Sequence, residues 1–298
     1  MDSERSARAR VVLEGLSVGD AFGEVSAYGS DRVRHRVEMG VVGGPWWWTD
    51  DTAMALGIME CLEREGCIRE EKLASIFARN FKRDPDRGYG NMAARILQRI
   101  GEGDPWEVAS KAAFNGGSMG NGAAMRVAPL GAWFCDDLER VVEEATKSAR
   151  VTHWHAEGIA GAIAVAVATA CAWQARELDA AESRRVIASE VLKRTPEGDT
   201  RDGIAVAVTL EPLLSAGVVG RRLGNGSLVT SPDTVPFVIW SALRSLDDFQ
   251  EGIVATIEGG GDCDTNAAMV GGIVTARLGV SAIPQDWLEA REGLPAIP

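Results

Sequence analysis

Positive charge is the scarcer sign in this chain. Its 31 Lys and Arg face 43 Asp and Glu, a net charge of −12, which argues against nucleic acid or an anionic membrane surface as the main partner. Cysteine is sparse and unpatterned. Cys61, Cys67, Cys135, Cys171 and Cys263 are odd in number, scattered and without a CxxC pair, so neither a disulfide framework nor a zinc knuckle is indicated. No basic region followed by a signal-type apolar stretch follows Met1-Asp2-Ser3-Glu4-Arg5. The longest apolar run, Ile159 to Trp173, is rich in Ala and Gly and shorter than the roughly 20 residues of a spanning helix. A reducing, cytoplasmic compartment is the expectation. No stretch reads as a linker, an internal repeat or a low-complexity tract.

The 298 residues allow one large domain or two ordinary ones, and 46% hydrophobic residues suffice for a core. Helical spacing dominates. Glu70–Phe81, Met92–Ile100, Leu138–Val151, Arg184–Lys193, Val235–Leu243 and Ala267–Leu278 read as helices, and Glu157–Ala172, apolar almost all round, reads as a buried central one. Ala7–Gly15 reads as a first helix running into closely spaced glycines, and residues 28–45 as a long loop. Ile204, Val206, Val208 and Leu210 alternate like a strand, yet nothing else in the chain pairs with one, so this segment is expected to be helical. The fold class expected is all-α, as a single domain over residues 1–298.

Two acidic stretches organise the chemistry. Thr49 stands where an N-cap belongs, Asp50 and Asp51 open the next turn, and Ala55, Ile58, Met59 and Leu62 follow at amphipathic spacing. Near the other end, Gly259-Gly260-Gly261-Asp262-Cys263-Asp264-Thr265-Asn266 again sets two acids and a hydroxyl ahead of an apolar run. Four carboxylates brought into one pocket repel, and burying them unpaired costs several kcal/mol each. Divalent cations remove that cost. Carboxylate and hydroxyl oxygens suit Mg²⁺, Mn²⁺ or Ca²⁺ and suit Zn²⁺ poorly. The reading is a two-metal hydrolytic site built from the two ends of the chain. Plain helix capping explains Asp50 and Asp51 alone but gives no role to the second pair.

Between them, Asn115-Gly116-Gly117-Ser118-Met119-Gly120-Asn121-Gly122 forms a glycine-rich loop ahead of a small-residue helix. It fits either a diphosphate cradle or close helix packing, and it lacks the Lys-Ser/Thr ending of a P-loop. Trp46, Trp47 and Trp48 are expected to pack around the site rather than stack on a base. Arg126 is expected in a buried ion pair, and Arg87 is a candidate for phosphate. Asp20 is expected to orient a ligand or loop rather than to bind metal. His155 and His35 are expected to be structural or exposed.

In order along the chain, Gly19-Asp20-Ala21-Phe22-Gly23, Thr49-Asp50-Asp51-Thr52, Gly120-Asn121-Gly122-Ala123-Ala124-Met125-Arg126, Thr152-His153 and Gly261-Asp262-Cys263-Asp264-Thr265-Asn266 resemble the ADP-ribosylglycohydrolase family. The resemblance implies a compact orthogonal multi-helix bundle with two Mg²⁺ or Mn²⁺ ions at the base of an ADP-ribose cleft. It places the metal ligands on Thr49, Asp50, Asp51, Asp262, Asp264 and Thr265. Ligand contacts fall on Gly117, Ser118, Met119, Gly120, Asn121 and His153, and a further cleft loop on Gly88, Tyr89 and Gly90. Many relatives carry a Glu where this chain has Ala27; Glu24 is the nearest carboxylate, substituting from a shifted loop or leaving the role absent.

The activity implied is hydrolysis of the glycosidic bond between ADP-ribose and an acceptor, on an ADP-ribosylated protein or an ADP-ribosyl small molecule. Asp262 or Asp264 is expected as the base, with Glu24 a third candidate, and a monomer is expected. A non-catalytic ADP-ribose-binding or structural member of the same fold, and a metal-dependent phosphoester or diphosphate hydrolase, remain alternatives.

Overall fold

A computed structural model describes residues 2–40 and 43–297; Met1, Val41, Val42 and Pro298 lie outside the described residues. Sixteen α-helices are found among them: α1 Asp2–Ser26, α2 Val33–Glu38, α3 Asp50–Glu65, α4 Glu70–Arg83, α5 Asn91–Gly101, α6 Trp106–Ala112, α7 Ala128–Trp133 and α8 Leu138–Arg150. There follow α9 Ala156–Gln174, α10 Ala180–Arg194, α11 Asp199–Ala207, α12 Ala216–Leu223, α13 Ser231–Arg244, α14 Phe249–Glu258, α15 Cys263–Leu278 and α16 Gln285–Ala290. No strand occurs among the described residues, only two isolated bridges. The all-α expectation holds.

Three helices, α9 and the paired α1 and α15, form the spine. α9 packs against α7, α8, α10, α13 and α15. It runs 19 residues, beyond the span read from sequence, and is apolar enough to cross a membrane, yet 78% of its 18-residue apolar window is buried inside the fold. α1 lies along α15 in the opposite sense. Gly15 approaches Gly271 and Thr275, Gly19 approaches Ala267, and Gly23 approaches Asp264. The four-residue spacing of these glycines puts them on one face of α1. A Cβ on Gly19 would sit 2.1 Å from the Ala267 carbonyl oxygen, and one on Gly23 2.5 Å from Asp264 Cα. Backbone therefore meets backbone over three turns, and the acidic start of α15 is pressed against the end of α1.

The first helix was expected to end at Gly15. It continues to Ser26 because its glycines face α15, where a side chain cannot fit, while Leu16, Val18, Ala21 and Phe22 on its other faces are buried. Part of the expected loop 28–45 is also helical, in a short 3₁₀ turn at Ser30–Arg32 and in α2. Arg34 of α2 holds Glu251 at 2.7 Å and Glu258 at 2.8 Å, both on α14. The alternating segment is helical through Ala207, as expected. A carboxylate from α9 starts it: Glu157 accepts from Asp199 N at 2.9 Å, Thr200 N at 2.9 Å and Thr200 Oγ1 at 2.6 Å. The proline-punctuated tail contains α16, whose Trp287 is buried against Phe22 and Trp46.

Gly19→Ala tests the spine. A glycine-to-alanine change inside a helix gains roughly 1 kcal/mol of propensity, whereas overpacking a tight contact costs about 1–3 kcal/mol or more. At 2.1 Å from a backbone oxygen the steric cost dominates, so chemical denaturation should show a net loss of stability. A neutral or stabilised variant contradicts this packing.

Candidate active site

Both acidic motifs occupy helix N-termini. Thr49 is the N-cap of α3, with Asp50 and Asp51 in the first turn; Asp262 is the N-cap of α15, with Asp264 in the first turn. The α1–α15 contact brings the two ends together, and Asp20, Asp51 and Asp264 each place an oxygen within 4.8 Å of the others. The carboxylate of Asp20, fully buried, accepts from Thr49 N at 3.0 Å, Thr49 Oγ1 at 2.8 Å, Thr52 N at 3.0 Å and Thr52 Oγ1 at 2.5 Å. With its lone pairs so used, Asp20 fixes the start of α3.

Asp51 is differently placed. Its Oδ1 is buried with no hydrogen-bond partner among the described residues. Its Oδ2 faces the Thr49 hydroxyl at 3.0 Å and the Thr265 hydroxyl at 3.5 Å. The Thr49 hydroxyl also faces Asp20 at 2.8 Å, and a hydroxyl has one proton to give. The cluster is thus short of positive charge or protons. Burial pushes Asp20 and Asp262 up to about 7, with the charge of Asp264 adding to it in both. Burial, and then the charge of Asp20, push Asp50 and Asp51 well above the usual carboxylate range. Helix N-termini favour the anions by about 0.3–1 kcal/mol, against several kcal/mol for desolvating each one, so desolvation dominates. An all-oxygen donor set with an orphaned buried carboxylate oxygen fits hard divalent cations.

The cluster opens onto a cleft of about 870 Å³, within the range for ligand sites. Asp50, Asp262, Asp264 and Thr265 lie at its base; Gly88, Gly90, the Gly117–Asn121 loop and His153 form its walls. Thr49 and Asp51 lie beneath that surface rather than on it. Asn121 ties the glycine loop to the second acidic motif, its amide donating to Asp262 Oδ2 at 2.7 Å and to Thr234 Oγ1 at 3.2 Å. His153 is buried, which lowers it to about 3 with help from the charge of Arg126. Its ring is neutral near pH 7, with Nδ1 2.7 Å from Thr152 Oγ1.

The family model for ADP-ribosylglycohydrolase matches residues 1–297. The chain belongs to the ADP-ribosylglycohydrolase family. It is 32% identical over 276 residues to ADP-ribosylhydrolase ARH3 of Homo sapiens, covering 83% of this chain and 75% of that protein. It is 25% identical over 303 residues to ADP-ribosylarginine hydrolase Tri1 of Pseudomonas putida strain GB-1, covering 95% of this chain and 73% of that one. A solved structure described as an ADP-ribosylglycohydrolase-related protein complex superposes with a TM-score of 0.61 at 24% identity, over 97% of this chain and 94% of that one; at that identity the likeness is one of fold.

Several candidate residues lie outside the cleft lining. The ring of Tyr89 leaves the cleft, packing edge-on to Phe81 at 5.0 Å and facing a separate hollow beside Trp48. Glu24 is exposed on the last turns of the continuous helix α1, not on a shifted loop. It is absent from the cleft lining, although burial and then the charge of Asp264 raise its carboxyl. Arg126 is fully buried but has no carboxylate partner among the described residues. It donates to Ser148 O at 2.9 Å and lies over the Phe77 ring at 4.6 Å, and burial lowers it to about 9. Arg87 is held by Glu292 and Asp84, leaving no phosphate role. Trp46 and Trp48 are packing residues, Trp47 is exposed, and none of the three lines the cleft.

The sequence reading missed one wall. In the turn Gly224-Asn225-Gly226-Ser227, given no site role above, the Asn225 carbonyl accepts from Asp262 N at 3.1 Å and from Asn266 Nδ2 at 2.7 Å. A Cβ on Gly226, at φ 88°, would lie 2.6 Å from Asp262 Cβ. The same loop continues to Leu228, Val229 and Thr230 on the cleft. His155 was expected to be structural: its Nδ1 accepts from Glu157 N at 3.1 Å to cap α9, and it also lines the cleft. Nothing local in the sequence announces a contact between residues 225 and 262.

The raised carboxyls fix a pH dependence. A group whose pKa is higher folded than unfolded adds stability below its unfolded value and loses it as pH rises through its folded value. His153 is lowered instead, so its effect is complete above the ordinary histidine value of about 6.5. Between about pH 6.5 and 8, chelator-treated protein should therefore become less stable as the Asp20, Asp50, Asp51 and Asp262 carboxyls ionise. Added Mg²⁺ or Mn²⁺ should remove most of that loss. A chelated melting temperature that is flat or rising across this window contradicts the charge-short cluster.

Proposed function

We propose that this chain hydrolyses the glycosidic bond joining ADP-ribose to an acceptor, with a pair of Mg²⁺ or Mn²⁺ ions as its cofactor. The observation that carries the reading is the orphaned, buried Asp51 carboxylate oxygen in an acidic cluster at the base of a glycine-lined cleft. Asp50, Asp51, Asp262 and Asp264 would hold the ions, with the Thr49 and Thr265 hydroxyls beside them. Bound there, divalent cations lower the pKa of water and fix hydroxyl oxygens in place.

The remaining work falls to the chain itself. In the Gly117–Asn121 loop the amides of Gly117, Gly120 and Asn121 already donate to Ala113 O, Ser118 Oγ and Val229 O. The Ser118 and Met119 amides therefore meet the diphosphate, and His153, neutral and held at Nδ1 by Thr152, offers Nε2 to the ligand. Asn121 holds Asp262 in one orientation. Water adds to C1″ of the ribose through an oxocarbenium-like state as the C1″–acceptor bond breaks. Asp262 or Asp264 takes the proton of the water, and the departing acceptor atom leaves with a proton taken up from solvent. The departing acceptor atom is a nitrogen or an oxygen of a protein side chain, or an oxygen of a small molecule. Glu24, outside the cleft lining, has no part in this scheme. Because the ligands come from residues 49–51 and 262–265, the catalytic unit in this reading is the whole chain. The proposed compartment is the reducing cytoplasm, in keeping with five free cysteines.

The test is a product assay on ADP-ribose linked to arginine, to serine and to a small molecule, with and without added metal. Free ADP-ribose released only with metal is the expected result. AMP and ribose phosphate as products point to a diphosphate hydrolase, and ligand binding without turnover points to a non-catalytic member. Asp50→Asn and Asp262→Asn should each abolish turnover with the helical circular dichroism retained. Full activity in either variant contradicts the assignment.

A further inference from the structure

The first acidic motif is held from outside the cleft by the end of the chain. Trp46 N donates to Ala290 O at 2.7 Å and Glu292 N donates to Trp46 O at 2.8 Å, so the segment leading into Thr49 is paired with the residues after α16. One guanidinium joins these parts. Arg87 grips both oxygens of Glu292, at 2.6 and 2.9 Å, and donates to the Trp48 carbonyl at 3.0 Å and to Asp84 at 2.6 Å. Its Cζ lies 3.6 Å from the centroid of the Trp48 ring. The next residue, Gly88, is on the cleft wall, and a Cβ there would lie 3.7 Å from Thr49 Cβ and 3.8 Å from Asp50 Oδ1.

We propose that Arg87 and Glu292 act as positioning residues, clamping the C-terminal segment to Trp48 so that Asp50 and Asp51 are held ready for cation. Neither touches the cleft. The clamp adds to the reading of a metal site and rests on it. Three features give it reach. Trp48 directly precedes the N-cap that presents both carboxylates. A bidentate, half-buried Arg–Glu pair is directional as well as strong. Pro295, Ala296 and Ile297 then close over the hollow lined by Ala53 and Leu56, on the outer face of the same helix. Loss of the carboxylate leaves the guanidinium without its main partner and frees the peptide ahead of Thr49.

The experiment compares wild type, Glu292→Gln and Arg87→Lys in the full chain. Mn²⁺ alone is titrated by calorimetry, and amide hydrogen exchange is followed over residues 46–53 in chelator. Glu292→Gln should weaken Mn²⁺ binding by about tenfold or more, the loss usual when a residue supporting a metal ligand is removed. Exchange over residues 46–53 should quicken while the protection of α9 stays unchanged. Arg87→Lys should behave alike, because a lysine keeps the charge but not the fork. Unchanged Mn²⁺ affinity in both variants overturns the clamp. Wild-type protein that takes up no Mn²⁺ overturns the metal reading instead; the exchange measurement then decides the clamp alone, and unchanged exchange in Glu292→Gln removes it.

Discussion

Where α1 runs along α15, three glycines remove the α1 side chains from the contact, and the helices come close enough that an added methyl group would strike the Thr275 side chain at Gly15, a carbonyl oxygen at Gly19 or an α-carbon at Gly23. That contact decides where the carboxylates go. Asp20 follows directly on Gly19, and Asp264 lies against Gly23, so the closeness of the helices becomes the closeness of the acids. A looser pairing would let water between them and relieve the repulsion. The tight one excludes water, and the acidic cluster carries the consequence in raised carboxyls and an oxygen with no partner.

Around this contact the remaining elements act as supports for two helix starts. Asp20 secures the first turn of α3 through four donor groups; Asn225 holds the backbone of Asp262 and Asn121 its carboxylate. The chain's last residues return to hold the peptide just before Thr49. Each support comes from a point remote in sequence from what it supports, a property of sites built at helix ends, where few local hydrogen bonds are made. Membership of the ADP-ribosylglycohydrolase family is consistent with such a scaffold, in which loops between helices supply the cleft walls.

What the sequence disclosed was what has a local signature. The paired acids ahead of apolar runs, the glycine loop before small residues, the helical periods of α4 and α8 and the all-round apolar run of α9 all depend on neighbours within a few turns. Hidden features depended on distant partners. Gly15, Gly19 and Gly23 look like breakers until α15 is placed beside them. The Asn225 turn looks like any other until Asp262 is seen to donate to it. Tyr89 sits between two glycines on the cleft, yet its ring has a better apolar partner in Phe81. Arg126 was expected to be paired because a buried charge usually is; it meets instead a carbonyl, the Met54 sulfur and the face of an aromatic ring, and its Nε has no partner among the described residues.

The central claim is that divalent cations occupy the space between the first turns of α3 and α15. The most direct measurement is anomalous scattering from crystals grown with Mn²⁺. The account predicts two strong peaks within bonding distance of the Asp50, Asp51, Asp262 and Asp264 carboxylates. An empty cluster with well-ordered carboxylates, or manganese bound only on the molecular surface, would contradict it.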